Sequence, residues 1–302
     1  MLIGNRNWLE RNTECFQFAT FRYLRLIQDH YGNPACERLL QKEINFVIHN
    51  LRNKFSDILP IGKDLVRLLM AVCGIDVFRE FWTALLNNPQ SLQPKFTGLQ
   101  ELLKIRTPTK FVKLNVTVEL HNKISFMLAK VKFGQHLHYE KWLVNKYLSS
   151  MSSQTLIPDI MRFIVACIIP TNEILASDIL PRWAFCGFML SQCSNLQATS
   201  SARLSLIWDW LLFNENRNTI MDIEPGLLLM QQSRKTHPQT TYGILDFLLR
   251  LVKEFYPPME DEIKRGIINS FRCCIKVSAT ISGKAFNFLI FRSELQSQSS
   301  RF

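Results

Sequence analysis

Glycine is scarce in this chain, 11 in 302 residues with no cluster. No GxxxxGK[ST] string and no GxGxxG after a strand occurs, so backbone loops that wrap a phosphate or a dinucleotide are not expected. A GxSxG elbow and an HExxH pair are also missing. His30, His49, His121 and His237 stand apart from any partner nucleophile in sequence. No catalytic residue, no cofactor and no enzymatic activity are therefore expected. Long apolar runs are absent too. FIVACII is broken at Pro170 and LIWDWLLF at Asn214, far short of the ~18 apolar residues of a membrane span, which predicts a soluble chain with no membrane partner. The N-terminus, MLIGNRNWLERN, has neither the organisation of a secretory signal nor a transit composition, so residence inside the cell follows. The eight cysteines form no CxxC pair and read as reduced core residues. His136 with His138, and Cys273 with Cys274, lack the second nearby pair that zinc requires, so no metal is expected.

What is present is helical periodicity. Hydrophobic residues make up 47% of the chain and charged ones 20%, a globular balance with material for a core. Apolar stripes recur at three- and four-residue intervals from Cys15 to His30, from Leu40 to Phe55, and through IGKDLVRLLMAV and VFREFWTALL, which a link at Gly74 joins into a hairpin. Thr117 reads as the N-cap of a helix through Val131, and Thr240 or Thr241 as the cap of one through Phe255. The stretch from Pro170 to Met230 gathers three of the six tryptophans, with one helix continuing through Leu204, Trp208 and Phe213. Asp209 inside it needs a partner or a water-facing slot. About a dozen helices with short links predict an all-α fold, a HEAT-like helical-repeat array of antiparallel helix pairs, although no period is regular. The serine run Ser149 to Ser153 places a boundary between segments 1–150 and 151–275. Residues 276–302, serine- and glutamine-rich at the end with an apolar patch at Phe286 to Phe291, read as a divergent tail that leaves the helical pattern, either docked or disordered.

The formal net charge is +11, and between Lys95 and Lys146 ten Lys or Arg meet three Glu. Basic side chains interleaved with Phe111, Phe133 and Tyr139 there fit a single-stranded nucleic-acid groove, an acidic protein partner or a solvated surface. The partner-contact candidates are Arg106, Lys110 and Lys113 in one loop, and Lys130, Lys132, His136 and Lys141 around a second.

Longer strings carry a resemblance. IGKDLVRLLMAV (61–72), FREFWTALLNNPQSLQPKFTGLQELLKIRTPTKF (78–111), KVKFGQHLHYEKWLVNKYL (130–148), PTNEILASDILPRWAFCGFML (170–190), IMDIEPGLLLM (220–230) and LLRLVKEFYPPME (248–260) together resemble the N-terminal half of the Integrator complex subunit 3 family, whose members also belong to SOSS, the sensor of single-stranded DNA. The likeness runs from about Phe16 to about Ser270. It implies a nuclear, non-catalytic scaffold, with the cytoplasm left open as a second location. The implied partners are an OB-fold single-stranded-DNA-binding protein, other Integrator subunits and the small third subunit of SOSS, with nucleic acid held mainly through them. The implied duties are double-strand-break repair and checkpoint signalling, small nuclear RNA 3′-end processing and RNA polymerase II termination. By that resemblance the chain is truncated: it starts inside the family's array, and its residues from about Lys276 match nothing in the family.

Overall fold

The structure is a computed structural model that describes residues 3–282. Among these, seventeen α-helices and several 3-10 turns form, with no strand beyond one isolated bridge. The helices outnumber the dozen expected because several are only one or two turns long, too short to show a period. The fold is all-α and built from helical hairpins, as its periodicity predicted.

Two compact units result. The first comprises Met1–Pro181 with Phe188–Ser205, and the second Arg182–Gly187 with the chain from Leu206. The first holds α1 (Arg6–Arg11), α2 (Thr13–His30), α3 (Glu37–Asn53), α4 (Phe55–Ile58), α5 (Lys63–Ala71), α6 (Asp76–Asn87), α7 (Leu99–Lys104), α8 (Thr109–Leu114), α9 (Val118–Lys130), α10 (Leu137–Tyr147), α11 (Ile157–Cys167) and α12 (Asn172–Leu175). α13 (Arg182–Ser191) and α14 (Leu196–Ile207) are divided between the units, while α15 (Glu224–Thr236), α16 (Pro238–Glu254) and α17 (Glu260–Ser282) belong to the second.

In the first unit α2 and α3 form an antiparallel hairpin. The paired residues run in opposite order: Asn50 donates to Thr20 Oγ1 at 2.9 Å, Tyr23 meets Phe46 edge-on, and His30 Nδ1 lies 2.7 Å from Glu43 Oε2. Phe16, Phe21, Leu24, Val47, Leu51, Leu65, Phe163 and Ile164 are buried between the helices, each large side chain contributing about 1.5–3 kcal/mol. At the entry to α5, Gly62 takes φ +80°, and a Cβ there would lie 2.5 Å from the Ile105 carbonyl oxygen. That approach lets Lys63 N–H donate to Ile105 at 2.9 Å.

The centre of this unit is ionic. Asp64 of α5 and Asp159 of α11 are 0% and 1% exposed. Arg162 meets both Asp64 oxygens at 2.9 to 3.2 Å, and Arg67 reaches Asp64 and Asp159 at 3.2 Å each. Arg25 of α2 pairs with Asp159 through Nε and with Asp29 at 2.7 Å, and Asn115 donates to Asp159 at 3.3 Å. The Asp64 N–H donates to Thr107 Oγ1 at 2.8 Å. Burial pushes the Arg25 guanidinium down, but Asp159 and Asp29 outweigh it and hold it above its ordinary value. Lone buried carboxylates would each cost several kcal/mol. Here every Asp oxygen faces a donor, so the charges tie α2, α5 and α11 together, and the Asn115 amide joins the end of α8 to them.

Residue 150, where the sequence suggested a boundary, lies inside the first unit. The serine run belongs to a 3-10 turn (Met151–Leu156) capped by Ser150, which leads into α11. α11 then places Asp159 and Arg162 in the middle of the first unit, on charges from residues 25, 64 and 67. The chain divides later, where α13 begins.

In the second unit the tryptophan helix expected to run through Phe213 ends at Ile207. Trp208 to Leu212 form turns, closed by hydrogen bonds from Trp210 N–H to Ile207 and from Phe213 N–H to Trp210. Asp209 is buried and partnered. Trp210 meets Phe271 of α17 edge-on at 5.6 Å, and Trp208 meets Phe255 at 5.9 Å. α17 comes this close because Gly266 has no side chain: a Cβ there would sit 2.5 Å from the Leu211 carbonyl oxygen. α16 starts at Pro238, so Thr241 is not its cap. Its hydroxyl donates instead to the Met230 carbonyl of α15 at 2.9 Å. Arg182 pairs with Glu224 at 2.7 Å. α17 passes the expected break at Lys276 and continues to Ser282, whereas the rest of that expected tail, Phe286 to Phe291 included, lies outside the described residues.

Three stability outcomes are expected. Asp159→Asn leaves Arg25 and Arg67 facing a neutral amide in the interior and should destabilise the protein by about 3–5 kcal/mol in urea unfolding. Asp76→Asn, on an exposed pair with Arg79, should leave the urea midpoint unchanged. Gly266→Ala forces α17 off the 208–213 turn and should cost about 1–3 kcal/mol, with loss of near-UV circular dichroism from the tryptophans as the readout.

Candidate partner-binding face

The seven predicted contact residues fall into two groups with different neighbours. Arg106, Lys110 and Lys113 flank or sit on α8, and all three are exposed. Lys110 is engaged within the chain: its Nζ lies 2.5 Å from Glu14 Oε1 and over the rings of Phe18 and Phe111 at 5.5 and 5.6 Å. Arg106 has an internal partner as well. Phe111, expected at the surface, is 1% exposed and packs edge-on against Phe18 and Phe21 of α2. Its spacing with Val112 makes it the buried anchor of a one-turn helix, which removes it as a stacking ring.

Lys130, Lys132, His136 and Lys141 surround the link between α9 and α10. Thr117 caps α9 as expected, accepting from Leu120 N–H, and His121 packs on Phe163 of α11. The link is held by backbone. Lys132 bridges to Ile179, the Leu180 N–H donates to Val131 at 2.8 Å, and the Phe133 N–H donates to Asp178 at 2.7 Å. Lys132 also pairs with Asp178 at 2.9 Å, which raises the lysine's pKa and lowers the carboxylate's through that hydrogen bond. His136 is a brace: its Nδ1 accepts from Gly134 N–H at 3.0 Å and its ring stacks flat on Phe133. Burial lowers its pKa and favours the neutral ring. Lys130 and Lys141 remain exposed, with no ion pair among the described residues.

α9 and α10 run antiparallel, since Phe126 meets Tyr139, Lys123 lies over Trp142, and Lys146 pairs with Glu119. That Lys146 hydrogen bond pulls the Glu119 carboxylate down. The shared outer surface carries Phe126, 46% exposed, beside half-buried Tyr139 and Trp142, with Phe133 and Leu137 exposed at its end. Of these, Phe126, Trp142 and Leu137 were not singled out from the sequence. The usable signal was Phe126 standing within the polar stripe of Asn122, Lys123 and Lys130, where an apolar residue has no core to reach. Beneath them Glu140 is 6% exposed and 3.8 Å from His136, and burial pushes its carboxyl up to about 7. No group of three metal-ligating side chains occurs among the described residues, and no described helix is long and apolar enough to cross a membrane.

Hairpins of this kind, packed around ionic and apolar cores, define an all-α helical-repeat protein. The chain belongs to the family described as Integrator complex subunit 3 N-terminal, whose profile matches residues 1–283. That match extends past both ends of the span read from the sequence. Among curated relatives, Integrator complex subunit 3 of Homo sapiens is 42% identical over 270 residues, covering 89% of this chain and 26% of the relative. The Integrator complex subunit 3 homolog of Drosophila mojavensis is 43% identical over 272 residues, 90% of this chain and 25% of the relative. The chain thus spans about a quarter of the length of the curated relatives it matches.

The Glu140 environment sets a pH dependence. Its folded pKa of about 7 lies above the ordinary 4.5, so between those values the folded state keeps a proton that the unfolded chain has lost, and stability falls as pH rises from 4.5 to about 7 and levels off above it. Glu140→Gln should match the wild type in urea stability at pH 4 to 5 and exceed it by up to about 3 kcal/mol at pH 8.

Proposed function

We propose that this chain is a non-catalytic scaffold that helps assemble the Integrator complex in the nucleus, where that complex processes small nuclear RNA 3′ ends and terminates RNA polymerase II transcripts. The same reading extends to SOSS, where the partners are an OB-fold single-stranded-DNA-binding protein and a small third subunit, and the duties are DNA damage signalling and double-strand-break repair. The observation that carries it is the family match over 1–283 together with relatives about 42% identical that are named as Integrator subunits. Two features support the absence of chemistry. The buried polar groups Asp64, Arg67, Asp159 and Arg162 are spent on each other, and burial pushes the Cys186 thiol up to about 12, which leaves it unreactive.

Direct binding of single-stranded nucleic acid along residues 95–146 has less to rest on. A stacking groove needs open aromatic faces and free cations. Here Phe111 is in the core, one face of Phe133 is stacked on His136, and Lys110, Lys132 and Lys146 are paired with acids.

The test is affinity purification of the tagged chain from nuclear extract, with Integrator subunits and the OB-fold protein quantified by mass spectrometry. Retention of both is expected, with oligonucleotide binding only when the OB-fold protein is present. An isolated chain that binds oligonucleotide with an affinity falling steeply in salt would favour the nucleic-acid reading, and recovery of neither partner from a folded chain would end the scaffold proposal.

A further inference from the structure

We infer that the outer face of α9 and α10 is a docking surface for an acidic, amphipathic segment of a partner protein, which seats an apolar side chain against Phe126 and Tyr139 and aims carboxylates at Lys130 and Lys141. This deepens the scaffold reading and rests on it.

The face is apolar where a solvated helix pair would be polar. Phe126 is 46% exposed and Leu137 60% exposed, and each has a lysine four residues further along the same helix, Lys130 and Lys141. At that spacing Phe126 shares a side of α9 with Lys130, and Leu137 a side of α10 with Lys141. The charge there is one-sided. Lys123, Lys130, Lys141 and Lys146 are exposed, against one exposed acid, Glu119, which Lys146 already occupies. Lys130 and Lys141 therefore present positive charge that no group of this face balances, and an acidic partner complements it.

Ring access favours polypeptide over nucleic acid. Lys123 and Lys146 lie over Trp142 at 5.7 and 5.4 Å, and Phe133 is stacked on His136. The Trp142 ring and one face of Phe133 are thereby occupied, while the Phe126 side chain is open to an apolar knob. The surface is also held in advance of binding. The Lys132–Ile179 bridge and the Lys132–Asp178 pair fix the link between the two helices, so little order is lost on docking.

The test uses the full chain in fluorescence anisotropy with three labelled probes: a helix-forming peptide with Leu at i, i+3, i+4 and i+7 and Glu elsewhere, the same peptide with Lys for Glu, and a thymidine oligonucleotide. Binding of the Glu peptide alone is expected, weakened about tenfold or more by Lys130→Glu with Lys141→Glu, and about fivefold by Phe126→Ser. These positions are exposed, and circular dichroism checks that the variants keep the wild-type fold. Glu-peptide binding unchanged in both variants, insensitivity to Phe126→Ser, or oligonucleotide binding that depends on the same lysines would each overturn the proposal. Co-purification separates it from the scaffold reading. If the wild-type chain and both variants retain Integrator subunits equally, the face is wrong and the scaffold stands. If the wild-type chain retains none, the scaffold reading falls, and the peptide measurement still decides the face.

Discussion

Two carboxylates and three guanidiniums meet in the interior of the first unit, and the helices around them have no independent way to satisfy that charge. Asp64 and Asp159 come from α5 and α11, and their charged partners from α2, α5 and α11, with Asn115 donating to Asp159 and Thr107 accepting from the Asp64 N–H. Apolar burial drives collapse without direction. The charges add direction, because each buried carboxylate oxygen must face a donor. Residues as far apart in sequence as Arg25 and Arg162 are thereby fixed to the same point, which places α8 and α11 against α2.

The candidate face is a consequence two steps out. α11 is held by its charges, α9 packs on α11 through His121 and Phe163, and the link from α9 to α10 is fastened to residues 178–180 by backbone hydrogen bonds. Each step passes position outward until Phe126, Tyr139 and the lysines stand on a fixed surface. Charges within that surface divide by neighbourhood. Lys132 and Lys146 meet acids and become structural, while Lys130 and Lys141 meet none and stay available.

The second unit solves a different problem with fewer charges. Trp208, Trp210 and Phe213 are all buried, although they fall where the helix has already ended. The missing side chain of Gly266 brings α17 onto this turn, and the Arg182–Glu224 pair fixes α13 to α15. Burial holds the Glu224 carboxyl above its usual range, with Arg182 opposing that shift. Here packing shape does what the ionic centre does in the first unit.

The helical class, the α2 and α3 stripes, the Thr117 cap and the family resemblance were legible in the sequence, because periodicity, capping and long matched strings are local properties of the chain. The ionic centre left a faint local trace, Asp64 with Arg67 and Asp159 with Arg162, each an acid three residues before an arginine in an otherwise apolar helix. That spacing shows two charges on one helix side, and nothing about which side is buried. The end of α14 at Ile207 was not legible, since apolar residues on all sides fit a buried helix and a buried turn equally. The division of the lysines was not legible either. Their identity and positive excess were determined by the sequence alone, but whether each meets an acid depends on residues up to ninety-six positions away, as for Lys110 and Glu14, and only the tertiary structure brings those within reach.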